Sequence, residues 1–417
     1  MKKDDIIICG AGIAGVAAAY YLSRKKPQLK ITLVDKLAPL SLTTACSGEN
    51  FREYWPQPMM NAFAARSMQL MTELKERHGD LFKFNYTGYE FVSRFSDSDV
   101  FGASGNLDPD SFEAETGKEL RQSRPYLACE ISKVVRAKRA GSLDVYALGS
   151  LLLAQCRKNG VNVVQDEIID LSSEPEGAVA TLTKLGSLPA DHLVLAAGPF
   201  IGELAAHLDI DLPVANVKQQ KFVIPDPLKI IPRDMPFTIV ADSQYLPWTD
   251  SEKEMLESDP EYQHLLQEFP AGLHIKPEGA NQIKLGWAFN RHEEKPQWQG
   301  APDDQFVEIV LRGASRYIPG LQAYVENTPT VAARFAGYYT RTPENLPLIG
   351  QLKPRVHLVG ALAGYGTMAA CAAGELCANV LLDEPNLPEY YAWFSPQRYQ
   401  NAEIMGALAE QTSDGQL

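Results

Sequence analysis

Metal-ligand spacing is missing from this sequence. Its six cysteines, Cys9, Cys46, Cys129, Cys156, Cys371 and Cys377, are scattered without a CxxC pair, so no metal site is expected. A chain of 417 residues does not need a disulfide framework to fold, and reduced thiols in a cytoplasmic protein are the simpler expectation. A basic surplus is missing too. The 39 Lys and Arg stand against 52 Asp and Glu, a formal net charge of −13, which argues against nucleic acid or an anionic membrane as partner. Residues 6–22 come nearest to a signal or membrane segment, but Asp4 and Asp5 precede them and a glycine turn interrupts them. No targeting segment and no membrane span is therefore expected. There is no internal repeat, no low-complexity tract and no evident Ser-His-Asp constellation. With 45% apolar and 22% charged residues, what is left is an ordinary globular chain long enough for two or three domains.

What is present concentrates at the N-terminus. The apolar run at residues 6–9 leads into Gly10-Ala11-Gly12-Ile13-Ala14-Gly15, then an alanine-rich stretch, then Ile31-Thr32-Leu33-Val34-Asp35. The order is strand, glycine turn, helix, strand, acid. The glycines permit a tight turn, a pyrophosphate against bare amides and close packing of helix on sheet. A helix N-terminus favours the phosphate charge, and Asp35 is placed to accept hydrogen bonds from a ribose. A lone GxGxxG is weak evidence, but its full strand–helix–strand–acid context predicts a bound dinucleotide.

The unit returns in pieces. Strands are predicted at 161–164 and 168–171 after a helix at 147–159, and another at 192–195 before the turn at Gly198 and a helix at 200–207. Residues 82–143 and 214–331 alternate more and carry aromatics and prolines, which suits an antiparallel sheet with attached helices. The acidic stretch 250–268 reads as a solvated pair of surface helices, in preference to an active-site lid. Residues 356–360 form a buried strand, followed by a turn at Gly364 and Gly366 and an alanine-rich helix to Leu382. This second helix N-terminus suits a flavin, whose reduction places negative charge on the N1–C2=O edge of its ring.

Taken together, these motifs resemble those of the FAD-dependent amine and amino-acid oxidoreductases related to D-amino acid oxidase, glycine oxidase and sarcosine oxidase. The resemblance rests on the glycine turn with Asp35 and on Thr43-Thr44-Ala45-Cys46-Ser47-Gly48 with Arg52. It rests further on Gly337-Tyr338-Tyr339-Thr340-Arg341-Thr342-Pro343 before Pro347-Leu348-Ile349-Gly350, on the turn from Gly360 to Gly366, and on the closing Phe394-Ser395-Pro396-Gln397-Arg398-Tyr399. It implies an α/β fold, a Rossmann-like FAD domain (1–81, 144–213 and 332–417) with a second α+β domain on an antiparallel sheet (82–143 and 214–331). The implied chemistry is oxidation of an amine or amino acid, with hydride transfer from Cα to flavin N5, imine hydrolysis and reoxidation by O₂ to H₂O₂. Two alternatives stay open: a dehydrogenase passing electrons to a quinone or carrier, and a flavin-containing assembly factor without amine turnover.

The resemblance also distributes roles. Expected FAD contacts are Gly10, Gly12, Ile13, Ala14, Gly15, Asp35 and Lys36 in the first unit, and Thr44, Ala45, Ser47 and Gly48 in the small-residue loop. Ile168, Ala197, Gly198, Gly337, Gly364, Tyr365, Gly366, Thr367 and Met368 complete them. Gly337 stands where sarcosine oxidase bonds its flavin through cysteine, so the FAD is expected to be non-covalent. Lys284, in Gln282-Ile283-Lys284-Leu285-Gly286-Trp287, resembles the lysine that promotes reaction with O₂, because a fixed cation stabilises superoxide; its alternative is a solvent-facing strand lysine. Arg52 is the candidate for a substrate carboxylate, with an FAD-phosphate or surface role as the alternative, and Arg341 is a weaker candidate. Tyr339 and Tyr365 are expected at the substrate, in a pocket with Tyr338, Trp287 and Met368. That pocket suggests a secondary or bulky amine carrying a carboxylate. The oligomeric state is not legible.

Overall fold

The uninterrupted apolar runs become parallel strands. In the computed structural model, which describes residues 4–97, 110–298, 300 and 302–410, Asp4–Cys9 lies between Gly186–Leu195 and Ile31–Asp35 and is parallel to both. The row continues to Asn162–Gln165 on one side and to Val356–Gly360 on the other. Leu348–Lys353 closes that edge antiparallel. Ile6, Ile7 and Ile8 are buried because both faces of this sheet are covered. The strand Ile168–Glu174 leaves the row. It pairs antiparallel with Gly177–Leu182, which pairs with the first half of Gly186–Leu195.

Two helices of small residues pack across one face. Ile13–Lys25 buries Val16, Ala17, Ala18 and Ala19, and Gly366–Leu381 lies against it. They meet closely at Gly374, where an added Cβ would fall 2.5 Å from the backbone carbon of Ala17. The predicted helix at 147–159 is Val145–Lys158, capped by Asp144. The one at 200–207 is a short 3₁₀ turn followed by Ile201–Ala206.

The second sheet runs Ala333–Arg341, Ala215–Pro225, Gln282–Trp287, Leu273–Glu278, Phe237–Val240, Tyr89–Ser93, Lys133–Ala137, Phe112–Thr116. It is antiparallel apart from the parallel pair Phe237–Val240 and Tyr89–Ser93. Its first strand lies beyond residue 332, where the sequence suggested a return to the dinucleotide unit. Nine consecutive pairs, from Ala215↔Arg341 to Val223↔Ala333, carry that strand into the second sheet. Residues 98–109 of the expected second domain lie outside the described residues. On the far face Ile283, Leu285 and Trp287 pack with the helix Phe306–Ser315. The near face presents Gln219, Lys221, Lys284 and Gly337 toward the dinucleotide unit, as strand alternation requires. The acidic stretch forms the helix Asp250–Ser258, with no buried residue, and the short turn Gln263–Leu266.

Candidate active site

The glycine turn leaves room only for backbone. Gly10 has φ +116°, and a Cβ there would lie 2.4 Å from the Ala196 carbonyl oxygen; a Cβ on Gly15 would lie 1.9 Å from that of Gly10. Gly12 starts the helix Ile13–Lys25 with no side-chain cap, and one first-turn amide is met by a neighbouring side chain. The Ile13 N–H donates to Thr44 Oγ1 at 3.1 Å. Asp35 accepts from the N–H groups of Ala11 at 2.7 Å and Leu37 at 2.9 Å. Burial pushes its carboxyl pKa up, against the pull of these two N–H donors.

A cavity of about 290 Å³ opens along this turn. Its wall includes Gly10, Gly12, Ile13, Ala14, Asp35, Lys36, Thr44, Ser47, Gly48, Ile168, Ala197, Gly198, Gly337, Tyr339, Gly364, Gly366 and Thr367. Residues from seven separate stretches of the chain thus meet. Ser47 and Thr367 hydroxyls bond each other across it. The helix Gly366–Leu381 begins at Tyr365 without a side-chain cap. The wall turn before it is held in the left-handed region at Ala361, Ala363 and Gly364, with φ of 52°, 45° and 86°. Non-glycine residues adopt that conformation only where the surroundings impose it.

Several expected residues stand back from the wall. Gly15 is packed against Gly10, Ala45 is exposed, and Met368 joins the edge of the helical core. Tyr365 is buried, accepts from Asn345 Nδ2 at 3.0 Å and meets the Trp55 ring edge-on at 4.3 Å. Arg52 lies over the other aromatic partner of this stack, its guanidinium carbon 4.3 Å from the Trp55 ring centre, and is 3% exposed. Burial pushes the Tyr89 hydroxyl pKa up, with the Arg52 charge opposing. Tyr339 packs on Gly364, and the Arg341 guanidinium is 5.6 Å from its ring. Trp287 is a correction. It faces the far side of its sheet, donates to the Pro270 carbonyl at 2.9 Å and packs on Phe269. Tyr338 does reach the wall, and its hydroxyl accepts from the Gln297 N–H.

Lys284 is buried, which removes the solvent-facing alternative, yet it is not in the cavity wall. Its Nζ pairs with Glu49 at 3.2 Å and Glu278 at 3.1 Å. The wall position belongs to Lys221 on the neighbouring strand, whose Nζ donates to the Cys46 carbonyl at 3.3 Å. Lys276, cross-strand from Lys284, donates to the Gly48 carbonyl at 3.0 Å. Burial, then the charges of Lys284 and Lys276, push Lys221 down to about 8; burial and Lys284 push Lys276 to about 8. Burial and Lys221 hold His274 neutral, down to about 3. Lys221 was overlooked in the sequence. The apolar Phe222 and Ile224 beside it mark the core face, and parity would have sent Lys221 to the other.

Also unforeseen are Gln219, Phe200, His207 and Trp298, which stand in the wall with Cys46 of the small-residue loop. Cys46 stands against Gly337, its Cβ 3.2 Å from where a Cβ on that glycine would be. Burial raises its thiol pKa, with Lys221 opposing.

Comparison with known proteins agrees with this geometry. The family model described as FAD dependent oxidoreductase (DAO) matches residues 5–380. The chain is 25% identical over 408 residues to a bifunctional protein ThiO/ThiG of Synechocystis, covering 95% of this chain and 54% of that protein. It thus spans about half the length of that relative. Glycine oxidase of Bacillus licheniformis is 22% identical, with 95% of this chain and 98% of the relative covered. Among solved structures, L-proline dehydrogenase from P. horikoshii superposes with a TM-score of 0.74 at 20% identity, covering 95% of this chain and 98% of that one.

Proposed function

Since the chain belongs to the DAO family of FAD-dependent oxidoreductases and is a flavoenzyme of the amino-acid and amine oxidase kind, we propose that its substrate is a secondary or bulky primary amine carrying one carboxylate, oxidised at the CH–NH bond with O₂ as acceptor. The residues present fit the cofactor. Backbone crowding at Gly10 and Gly15 excludes any side chain from the phosphate turn, and Asp35 faces the cavity for a ribose. Gly12, Thr44, Ser47 and Thr367 would hold the rest of FAD. When bound, FAD supplies the hydride acceptor.

One observation carries the substrate reading: a buried guanidinium, Arg52, set on the Trp55 ring, which in turn meets Tyr365 edge-on. Arg52 would bind the carboxylate bidentately. The aromatic side chains would exclude water and favour the neutral amine, which is the form able to give up hydride. Truncating one partner of a desolvated charge pair of this kind costs about 2–5 kcal/mol, part of it the penalty of leaving the other charge unpaired. The relatives include a glycine oxidase and a monomeric sarcosine oxidase, both named for amino-acid substrates. Anaerobic flavin bleaching by an amino acid and by its decarboxylated amine is the test, in the parent and in Arg52→Ala. Faster bleaching by the amino acid in the parent alone is expected. Equal bleaching by both in the parent removes carboxylate recognition.

A second reading, a dehydrogenase, is favoured by the two carboxylates that neutralise Lys284. Stoichiometric H₂O₂ from aerobic turnover separates the two, and we expect it to form. The FAD is proposed to be non-covalent, because Gly337 offers no thiol and burial keeps Cys46 protonated. Acid precipitation should leave all yellow colour in the supernatant; flavin in the pellet would overturn this and make Cys46 the first residue to test.

A further inference from the structure

The Asp35 end of the cavity is bounded by a side chain far from the glycine turn in sequence. Trp298 comes from the segment between the strand Gln282–Trp287 and the helix Phe306–Ser315, on the second sheet's side of the molecule. Its indole stacks on Phe200, with centroids 4.0 Å apart and planes 12° from parallel. Lys36 Nζ stands 4.7 Å from the indole centre and pairs with Glu167 at 2.7 Å. All of these side chains line the cavity beside Asp35 and Ile168.

The segment is fastened on both sides of Trp298. The Gln297 N–H donates to Tyr338 Oη at 3.1 Å. Asp303 pairs with Lys218 at 2.8 Å and accepts from Gln220 Nε2 at 2.6 Å. Trp298 itself is 37% exposed, so burial in a core does not account for its position. A large ring is held at the mouth of a cavity, next to the carboxylate suited to a ribose.

We propose that Trp298 is a cofactor-binding residue that, with Phe200 and Lys36, holds the adenosine half of FAD. The inference rests on the FAD reading above. A purine offers a flat π-face to an indole, and loss of one such stack weakens a base by about five- to a hundredfold. Because Trp298 is carried by the second sheet's side, adenosine retention depends on both halves of the molecule. If instead the Phe200–Trp298 stack only pins the segment down, its loss would lower apoprotein stability without changing ligand affinity.

Apoprotein of the full chain, titrated with FAD and with ADP, tests this. Trp298→Ala should weaken both ligands by about tenfold or more, and Trp298→Phe, which keeps a ring, by clearly less. ADP should alter tryptophan emission in the parent and leave that of Trp298→Phe unchanged. Dissociation constants for both ligands within twofold of the parent in Trp298→Ala, with or without a lower melting point, would overturn the assignment of Trp298 alone. A parent that takes up no FAD would overturn the cofactor reading, and the role of Trp298 with it.

Discussion

Lys221 carries its ammonium on the sheet face that lines the cavity, with Lys284, Lys276, Glu49, Glu278, His274 and the Cys46 loop around it. A fixed cation in a partly desolvated wall stabilises the negative charge that develops when O₂ accepts its first electron. Lys221→Met should therefore leave anaerobic reduction by a good amine nearly intact and slow reoxidation by O₂ about tenfold. Lys284→Met, which leaves two carboxylates facing Lys221 and Lys276, should have the smaller effect. With Lys221 down to about 8, the cation is present below that pH and lost above it. Stopped-flow reoxidation rates should then fall as pH rises through about 8 in the parent and lose that step in Lys221→Met. Equal rates in parent and Lys221→Met at pH 7 would leave the dehydrogenase reading ahead. At the other end of the cavity, Asp35→Ala removes a charged acceptor worth about 1.5–3 kcal/mol to its partners, and FAD affinity measured on apoprotein should weaken accordingly.

At the scale of elements, the two helices that aim their N-termini at the cavity, Ile13–Lys25 and Gly366–Leu381, are locked together by small residues. At Gly374 there is no room for a side chain, with the Ala17 backbone carbon 2.5 Å and its Cβ 2.7 Å from an added Cβ. Backbone cannot give way as a flexible side chain does, so Gly374→Ala should cost at least about 1–3 kcal/mol of stability through overpacking. It should also weaken FAD retention, because separating the helices moves both N-termini. A chemical-denaturation midpoint equal to the parent's would show that the pair has slack.

For the whole molecule, acid is the expected weak point. His357 is 3% exposed in the strand Val356–Gly360, next to the edge of its sheet, and neither ring nitrogen has a hydrogen-bond partner among the described residues. Burial, then the neighbouring His192, push its pKa from 6.5 down to about 4. The unfolded chain therefore binds a proton that the folded chain refuses between these values. Stability is intact above about 6.5 and falls as pH drops toward about 4, by about 3 kcal/mol from this residue alone. His357→Leu should flatten that slope in urea titrations run at pH 7.5 and pH 5. A parent equally stable at both pH values would show that the ring is hydrated or partnered.

The dinucleotide unit was legible because its determinants are neighbours in the chain. Glycines needing a tight turn, apolar runs of strand length, an alanine-rich helix and Asp35 lie within the first thirty-five residues, and backbone sterics and periodicity act over that distance. The glycine turn at Gly364 was legible for the same reason. Trp287 read as pocket and faces the core, Lys284 read as the wall lysine and yields that place to Lys221, and residues 333–341 read as dinucleotide unit and pair into the second sheet. Each of these depends on the phase of a strand or on pairing between segments over a hundred residues apart. Trp298 is the extreme case, brought to Lys36 from 262 positions away. A dinucleotide turn, its acid and a second helix N-terminus are written in local stretches of the chain. Which side chains complete the cavity is set in three dimensions, because cross-strand register and the facing of long segments arise when the sheets form.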